Sequence, residues 1–194
     1  MYQTINFTLD STRPLLMHNA QGVNPMHPLS KEKRAINAKK TKKTDEDRDR
    51  LIQIDWELGL YYDTEKKCPI IPNDCVEAMI RNAFRTIKKG KDVVSSISVS
   101  PVNIPLKYEG PKDIEALRKK IDVFGDVRNV KIQNSTIIGS RPRFNKWSID
   151  IMVEFDDEVF NRDDIIRFME FAGQKIGLCD YRPKYGTFTV RVNS

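Results

Sequence analysis

Pro69-Ile-Ile-Pro-Asn-Asp-Cys-Val-Glu-Ala-Met-Ile-Arg81 is the stretch on which the fold turns. Its first half closes a predicted hairpin, in which 60–62 and 68–71 pair around Asp63–Lys67. Its second half changes period. Val76, Met79, Ile80, Ala83, Phe84 and Ile87 follow one another at steps of three and four, the apolar stripe of a helix over 74–88. Asn73 or Asp74 is the expected cap. Arg81, Arg85, Lys88 and Lys89 lie mostly off the stripe. A strand that runs straight into an amphipathic helix is one β–α step of a mixed fold.

Upstream, residues 2–9 alternate Ile5, Phe7 and Leu9 with Thr4, Asn6 and Thr8, the period of a half-buried strand. A polar break, Asp10 to Arg13, and a short apolar piece, Pro14 to Met17, lead to His18 and Asn19. Thr44 caps a helix over 45–57, with Asp45, Glu46 and Asp47 in its first turn and Gly59 as its stop. Downstream, 93–108 is β-prone with breaks at Pro101 and Pro105, and 113–121 is a short helix. Residues 127–138 and 147–155 are strands joined by a basic loop, Gly139 to Lys146. Asn161 caps a last helix over 162–176, which Gly177 ends, and 188–192 is the final strand. This order predicts an α+β fold, a ferredoxin-like core carrying insertions, in one domain spanning 1–194.

The formal net charge is +6. Residues 31–43 hold seven cations against Glu32, a net +6 by themselves, so the remainder is balanced. Pro25, Pro28 and Gly22 argue against a regular helix early in 20–43, and the stretch reads as a flexible basic insertion. A concentrated positive charge favours a polyanionic partner, because each neutralised phosphate releases a condensed counterion. No apolar run of 18 residues is present, and Met1–Asp10 has no secretory pattern, so the expected setting is cytoplasmic with no membrane partner. Cys68, Cys75 and Cys179 form no CxxC pair and read as reduced thiols.

Chemistry-bearing motifs are few. His18 and His27 stand nine residues apart with no acidic pair at ligand spacing, so neither a metal nor a cofactor is expected. The acidic runs at 45–49 and 156–158 read as helix starts and solvated faces. Neither GxSxG nor a Walker sequence occurs. His18 is the one candidate general base. Two clusters combine guanidinium forks with rings: Arg141, Arg143, Phe144, Lys146 and Trp147, then Tyr181-Arg-Pro-Lys-Tyr-Gly186. Such a mixture grips phosphates and stacks bases.

Two segments resemble the RAMP superfamily of CRISPR-associated proteins. Pro69–Arg81 is similar to the family's strand, Ile-Pro-Gly-Ser-Ser turn and arginine-bearing helix. Ile71, Pro72 and Arg81 match, Asn73 stands for the glycine, and Asp74 sits at a cap position. Gly177-Leu-Cys-Asp-Tyr-Arg-Pro-Lys-Tyr-Gly-Thr-Phe188 resembles the family's glycine-rich loop through Gly177, Arg182, Gly186 and Phe188, although it is glycine-poor between its ends. The chain also looks like proteins encoded by tailed bacteriophages, which would place it in a host bacterial cytoplasm.

The resemblance implies an RNA-recognition-motif-like core, closest in layout to the backbone subunits of CRISPR effector complexes, which polymerise along a guide RNA. It implies a thumb-like hairpin at 130–147, bringing Arg141, Arg143 and Phe144 to the strand. It implies an insertion, 20–43, closing over the groove, and a loop whose Gly177, Arg182 and Gly186 meet the nucleic-acid backbone. The expected groove is lined by His18, Asn19, Lys39, Lys40, Lys42, Lys43, Arg81, Arg85, Arg141, Arg143, Phe144, Trp147, Gly177, Arg182, Lys184, Tyr185 and Gly186. Three functions compete. The first is sequence-tolerant binding of single-stranded nucleic acid, RNA favoured over DNA, with a homo-oligomer or filament along the strand. The second is a metal-independent endoribonuclease using His18. The third is a phage protein that mimics or inhibits a CRISPR subunit.

Overall fold

A computed structural model describes residues 1–132 and 135–193. In chain order the elements are β1 (Tyr2–Ser11), β2 (Leu15–Leu16), a 3-10 turn (Ala20–Val23), α1 (Pro28–Asn37), α2 (Asp45–Gly59), β3 (Tyr62–Asp63), β4 (Cys68–Pro72), α3 (Asn73–Arg85), α4 (Gly90–Ser96), β5 (Ile97–Ser100), β6 (Asn103–Pro105), α5 (Ile114–Arg118), α6 (Ile121–Phe124), β7 (Gly125–Ile132), β8 (Ser135–Phe144), β9 (Ser148–Asp156), α7 (Arg162–Lys175) and β10 (Phe188–Asn193). The fold is α+β, as the order of periods predicts.

The main sheet runs β10-β1-β9-β5, every neighbour antiparallel. β1 and β5 both pair antiparallel with β9, so they run parallel to each other on either side of it. Along the chain β1, α3, β5, β9, α7 and β10 follow as β–α–β–β–α–β. Register sets Ile5 opposite Val153, Phe7 opposite Ile151 and Leu9 opposite Ile149, all buried on one face. α3 and α7 cover that face, and the Phe84 ring meets Phe168 at 4.2 Å and Phe160 at 4.7 Å between them. The other face is open: Thr4, Asn6, Ser98, Asp150, Met152 and Glu154 are exposed there. Its middle carries no aromatic ring and two carboxylates, a poor surface for stacking bases.

Two smaller sheets complete the body, β2-β8-β7 and β3-β4-β6. β2 joins the first of these to the core by setting Leu15 opposite Phe144 and Leu16 opposite Arg143. Trp56 of α2 is fully buried and its indole N–H donates to the Phe124 carbonyl at 2.8 Å.

Several expectations need correction. The stretch 20–43, expected to be a flexible insertion, contains a ten-residue helix, α1. Pro28 stands at its first position, where a missing N–H costs nothing, and His27 Nδ1 accepts the Leu29 N–H at 3.2 Å as the cap. The helix is anchored by Ile36 and Leu29 against Ile54, Leu58 and Leu51, by the Lys33–Asp55 pair and by Arg50 to Glu32 at 2.7 Å. Residues 139–144, read as a loop, are the end of strand β8. The reading of 130–147 as a hairpin meets an actual hairpin displaced to 125–144, with 133–134 outside the described residues. Pro72, with no side-chain hydrogen bond, holds the cap position of α3. Asn73 instead sends its amide to the Val99 carbonyl at 3.0 Å. Val93 and Val94 lie in a helix, α4, ahead of β5.

Candidate nucleic-acid interface

The segment 14–19 is the joint of the molecule. Leu15, Leu16 and Met17 are fully buried, so their backbone polar groups must find partners inside the protein. Those partners lie on three separate elements. Met17 N–H donates to Pro142 of β8 at 3.0 Å, and Asn19 N–H to Gly59 at the end of α2 at 3.0 Å. Asp180 N–H donates to Leu16 at 3.0 Å and Gly186 N–H to Pro14 at 2.8 Å, both from the C-terminal loop. Gly59 is needed for more than stopping a helix, since a Cβ there would lie 2.9 Å from Pro142 Cδ. The end of α2, the hairpin and the C-terminal loop are thereby held to one segment.

A cavity of about 490 Å³ lies where the insertion meets the hairpin, with His18, Asn37 and Arg34 on one wall and Gly139, Ser140 and Arg141 on the other. Ser140 is only 5% exposed, and its hydroxyl has no hydrogen-bond partner among the described residues. Charge around the cavity is unevenly compensated. Lys33 is paired with Asp55, and Arg141 with Asp180 at 2.5 Å. Among the described residues Arg34 bonds to the carbonyls of Ser30 and Pro25 and to no carboxylate. Beyond the cavity, Arg143 of β8 and Arg182 of the neighbouring cleft make no ion pair among the described residues.

Beside the cavity, arginines and tyrosines interlock. The Tyr181 ring carries the Arg141 guanidinium 5.0 Å from its centroid and that of Arg128 at 5.3 Å. Arg128 also receives Tyr185, whose hydroxyl oxygen accepts its N–H at 3.1 Å, and pairs with Asp126. Those two partners, Asp126 first, push the Arg128 pKa further up, so it stays charged throughout the accessible range. The pairing Asp126 opposite Arg141 across β7 and β8 sets this group in place. The loop that supplies the tyrosines is wound tightly: Gly177, Cys179, Tyr181 and Gly186 all have positive φ. At Gly177 a Cβ would lie 2.9 Å from the Tyr185 carbonyl, and at Gly186 it would collide with the Leu178 carbonyl.

The expected groove residues divide. His18 is exposed and borders both this cavity and a smaller cleft of about 260 Å³ that contains Arg182. Arg141 and Tyr185 join the same surface. Asn19 is spent as a cap, accepting from Gln21 N–H at 3.1 Å and donating to Leu60 at 3.2 Å. Phe144 and Trp147 are core residues, 1% and 3% exposed, and the Trp147 indole N–H donates to the Arg13 carbonyl at 3.0 Å. Neither ring offers a face to a base. The N–H groups of Gly177 and Gly186 already donate to Ala172 and Pro14, both at 2.8 Å, so those glycines serve loop closure. Lys39 pairs with Asp47 at 2.5 Å, while Lys40, Lys42 and Lys43 lie in the connection to α2, away from the cavity. Arg81 borders a different cleft, with Glu77 and Val94, and Arg85 donates to Asn82 at 3.0 Å on the exposed end of α3. Lys184 is exposed on the loop.

The chain shares its fold with part of a CRISPR effector complex. It superposes on a chain of the Type III-B Cmr-beta bound to cognate target RNA with a TM-score of 0.56, covering 99% of this chain and 60% of that one. At 9% identity the likeness is one of fold. The chain thus spans less than two thirds of the length of that neighbour. No protein-family model and no curated protein sequence matches it. No helix among the described residues is long and apolar enough to cross a membrane.

Arg34, Arg128, Ser140 and Tyr181 were not among the expected site residues. Tyr181 carries a sequence signal, being the first ring of the quoted basic-aromatic run. Arg128 sits inside an alternating strand with nothing local to mark it, and only the hairpin register brings it to the tyrosines.

Proposed function

We propose that this protein binds single-stranded nucleic acid, RNA in preference to DNA, along the surface formed by the cavity and the arginine–tyrosine group. The observation that carries the reading is the joint at 14–19, which holds the hairpin bearing Arg141 and Arg143 beside the loop bearing Tyr181 and Arg182; of these arginines, Arg143 and Arg182 have no carboxylate partner among the described residues. Unneutralised guanidinium groups hold phosphates, and Tyr181, 41% exposed, offers a stacking surface. The shared fold with a chain of a complex that holds target RNA supports RNA as the ligand. Binding is sequence-tolerant, because the candidate contacts address backbone charge and ring faces. The open face of the main sheet takes no part in it.

The test is fluorescence anisotropy with labelled ssRNA, ssDNA and duplex at two salt concentrations. The expected ranking is ssRNA, then ssDNA, then duplex, with affinity falling steeply as salt rises. Absence of binding to every single strand at low salt removes the reading. A second reading, metal-independent RNA cleavage with His18 as general base, is favoured by the place of His18 on the rim of both hollows. Intact labelled RNA after prolonged incubation with the wild-type protein in chelator eliminates it.

A further inference from the structure

Below the arginines, the smaller cleft holds a feature that nucleic-acid binding does not use. Cys75 and Cys179 both line it, both are partly exposed, and each is the strongest single influence on the other's thiol. The two come from elements far apart in sequence. Cys75 lies in the first turn of the thirteen-residue helix α3, and Cys179 lies in the wound C-terminal loop at φ 59°. We propose that Cys75 and Cys179 form a reversible intramolecular disulfide on exposure to a peroxide, tying the C-terminal loop to the start of α3.

The chemistry follows from the unequal surroundings of the two sulfurs. The thiolate is the reactive form, and a helix N-terminus favours it. Hydrogen bonding from the Cys179 thiol, followed by that from Tyr61, brings Cys75 down to about 7, while the same contact and burial push Cys179 up. Tyr61 has one hydroxyl proton and also reaches the His18 carbonyl at 3.2 Å, so that proton is shared between the two acceptors. Cys75 is therefore the attacking sulfur. Its thiolate takes one oxygen of hydrogen peroxide, the O–O bond breaks and hydroxide leaves, giving a sulfenic acid. The Cys179 sulfur then attacks Cys75, the S–O bond breaks, and the departing hydroxide leaves as water with the Cys179 proton. Two thiols and one peroxide become a disulfide and two waters. Closing the contact to a bonded distance of about 2.05 Å draws the loop toward the helix.

The third cysteine is an internal control. Cys68 is buried in β4, outside the cleft. After hydrogen peroxide treatment and quenching with N-ethylmaleimide in denaturant, intact mass under non-reducing conditions should show one alkylated thiol instead of three. Digestion should recover a peptide joining Cys75 to Cys179, and dithiothreitol should restore all three thiols. In Cys179→Ser the sulfenic acid on Cys75 should persist and react with dimedone, which separates a pair from two independent thiols. Three alkylated thiols after treatment, or a bridge involving Cys68, overturns the proposal, with far-UV circular dichroism establishing that each variant is folded. None of these readouts needs nucleic acid, so they stand or fall apart from the binding function. The consequence for function does rest on that reading: Arg182 and Asp180, the partner of Arg141, ride on the tethered loop. Oxidised protein should differ from reduced protein at least threefold in ssRNA affinity, and equal affinities would overturn the coupling to the interface.

Discussion

Arg141 connects the hairpin to the loop through Asp180 and Tyr181, and its place on the cavity wall makes it the most exposed test of the interface at the scale of one residue. Arg141→Met keeps much of the side-chain volume and removes the fork. It should weaken ssRNA binding about tenfold and lower the salt slope by about one, read from anisotropy titrations at several salt concentrations. Phe144 makes the opposite case. Phe144→Ala should cost about 3–5 kcal/mol of stability in denaturant unfolding, because a core ring is replaced by a cavity. A folded Phe144→Ala protein with unchanged stability and lost binding would instead make that ring a base-stacking residue. Its neighbours in sequence, two arginines and a lysine, suggested such a role, and strand alternation turned it inward.

The insertion is the element whose fate depends most on its packing. α1 touches the body through a small apolar cluster and a few ion pairs, so its stability is local. Ile36→Ala should remove about 2 kcal/mol or more from that cluster and strip amide-exchange protection from 28–37, while β1 and β9 keep theirs. Retained protection in 28–37 would show that the ion pairs hold the helix alone. The capping box of α2 adds a pH dependence. Thr44 Oγ1 accepts the Asp47 N–H, and Asp47 returns a bond to the Thr44 N–H, each at 3.2 Å. Lys39 first, then the Thr44 backbone, holds the Asp47 carboxyl below its ordinary 3.8. A depressed folded value gives stabilisation that is complete above the unfolded pKa and is lost as pH falls through the folded one. Helix α2 should therefore loosen below about pH 3.8, and Asp47→Asn should flatten that part of an acid-unfolding curve followed by circular dichroism.

At the scale of the molecule, the main sheet has one face under α3 and α7 and one face open, and the basic surface belongs to neither. It lies where the 14–19 segment pins three peripheral elements together. Three or four phosphate contacts there predict a slope of log affinity against log salt near −2 to −3, from about −0.7 per phosphate on a single strand. Replacing Thr4 and Met152 by alanine on the open face should leave ssRNA affinity unchanged. A loss of tenfold or more on that substitution would move the strand onto the sheet and away from the cavity.

Alternation in 2–9 and the three-and-four spacing of 76–87 and 165–172 were enough to place β1, α3 and α7, because those signals record burial on one face and burial was what the folded protein delivered. The Pro69–Arg81 stretch and the loop from Gly177 likewise pointed to the fold that the structural likeness supports. The sequence also marked 31–43 and the two basic-aromatic runs as basic. It did not mark which charges stay free, because neutralisation comes from carboxylates distant in the chain: Asp47 for Lys39, Asp55 for Lys33, Asp180 for Arg141. Helix α1 was missed because its two anchoring residues, Leu29 and Ile36, become a stripe only against α2. Whether an aromatic residue faces a strand of nucleic acid or the core, and whether two cysteines a hundred residues apart touch, is settled by register and by long-range packing, and local composition carries no record of either.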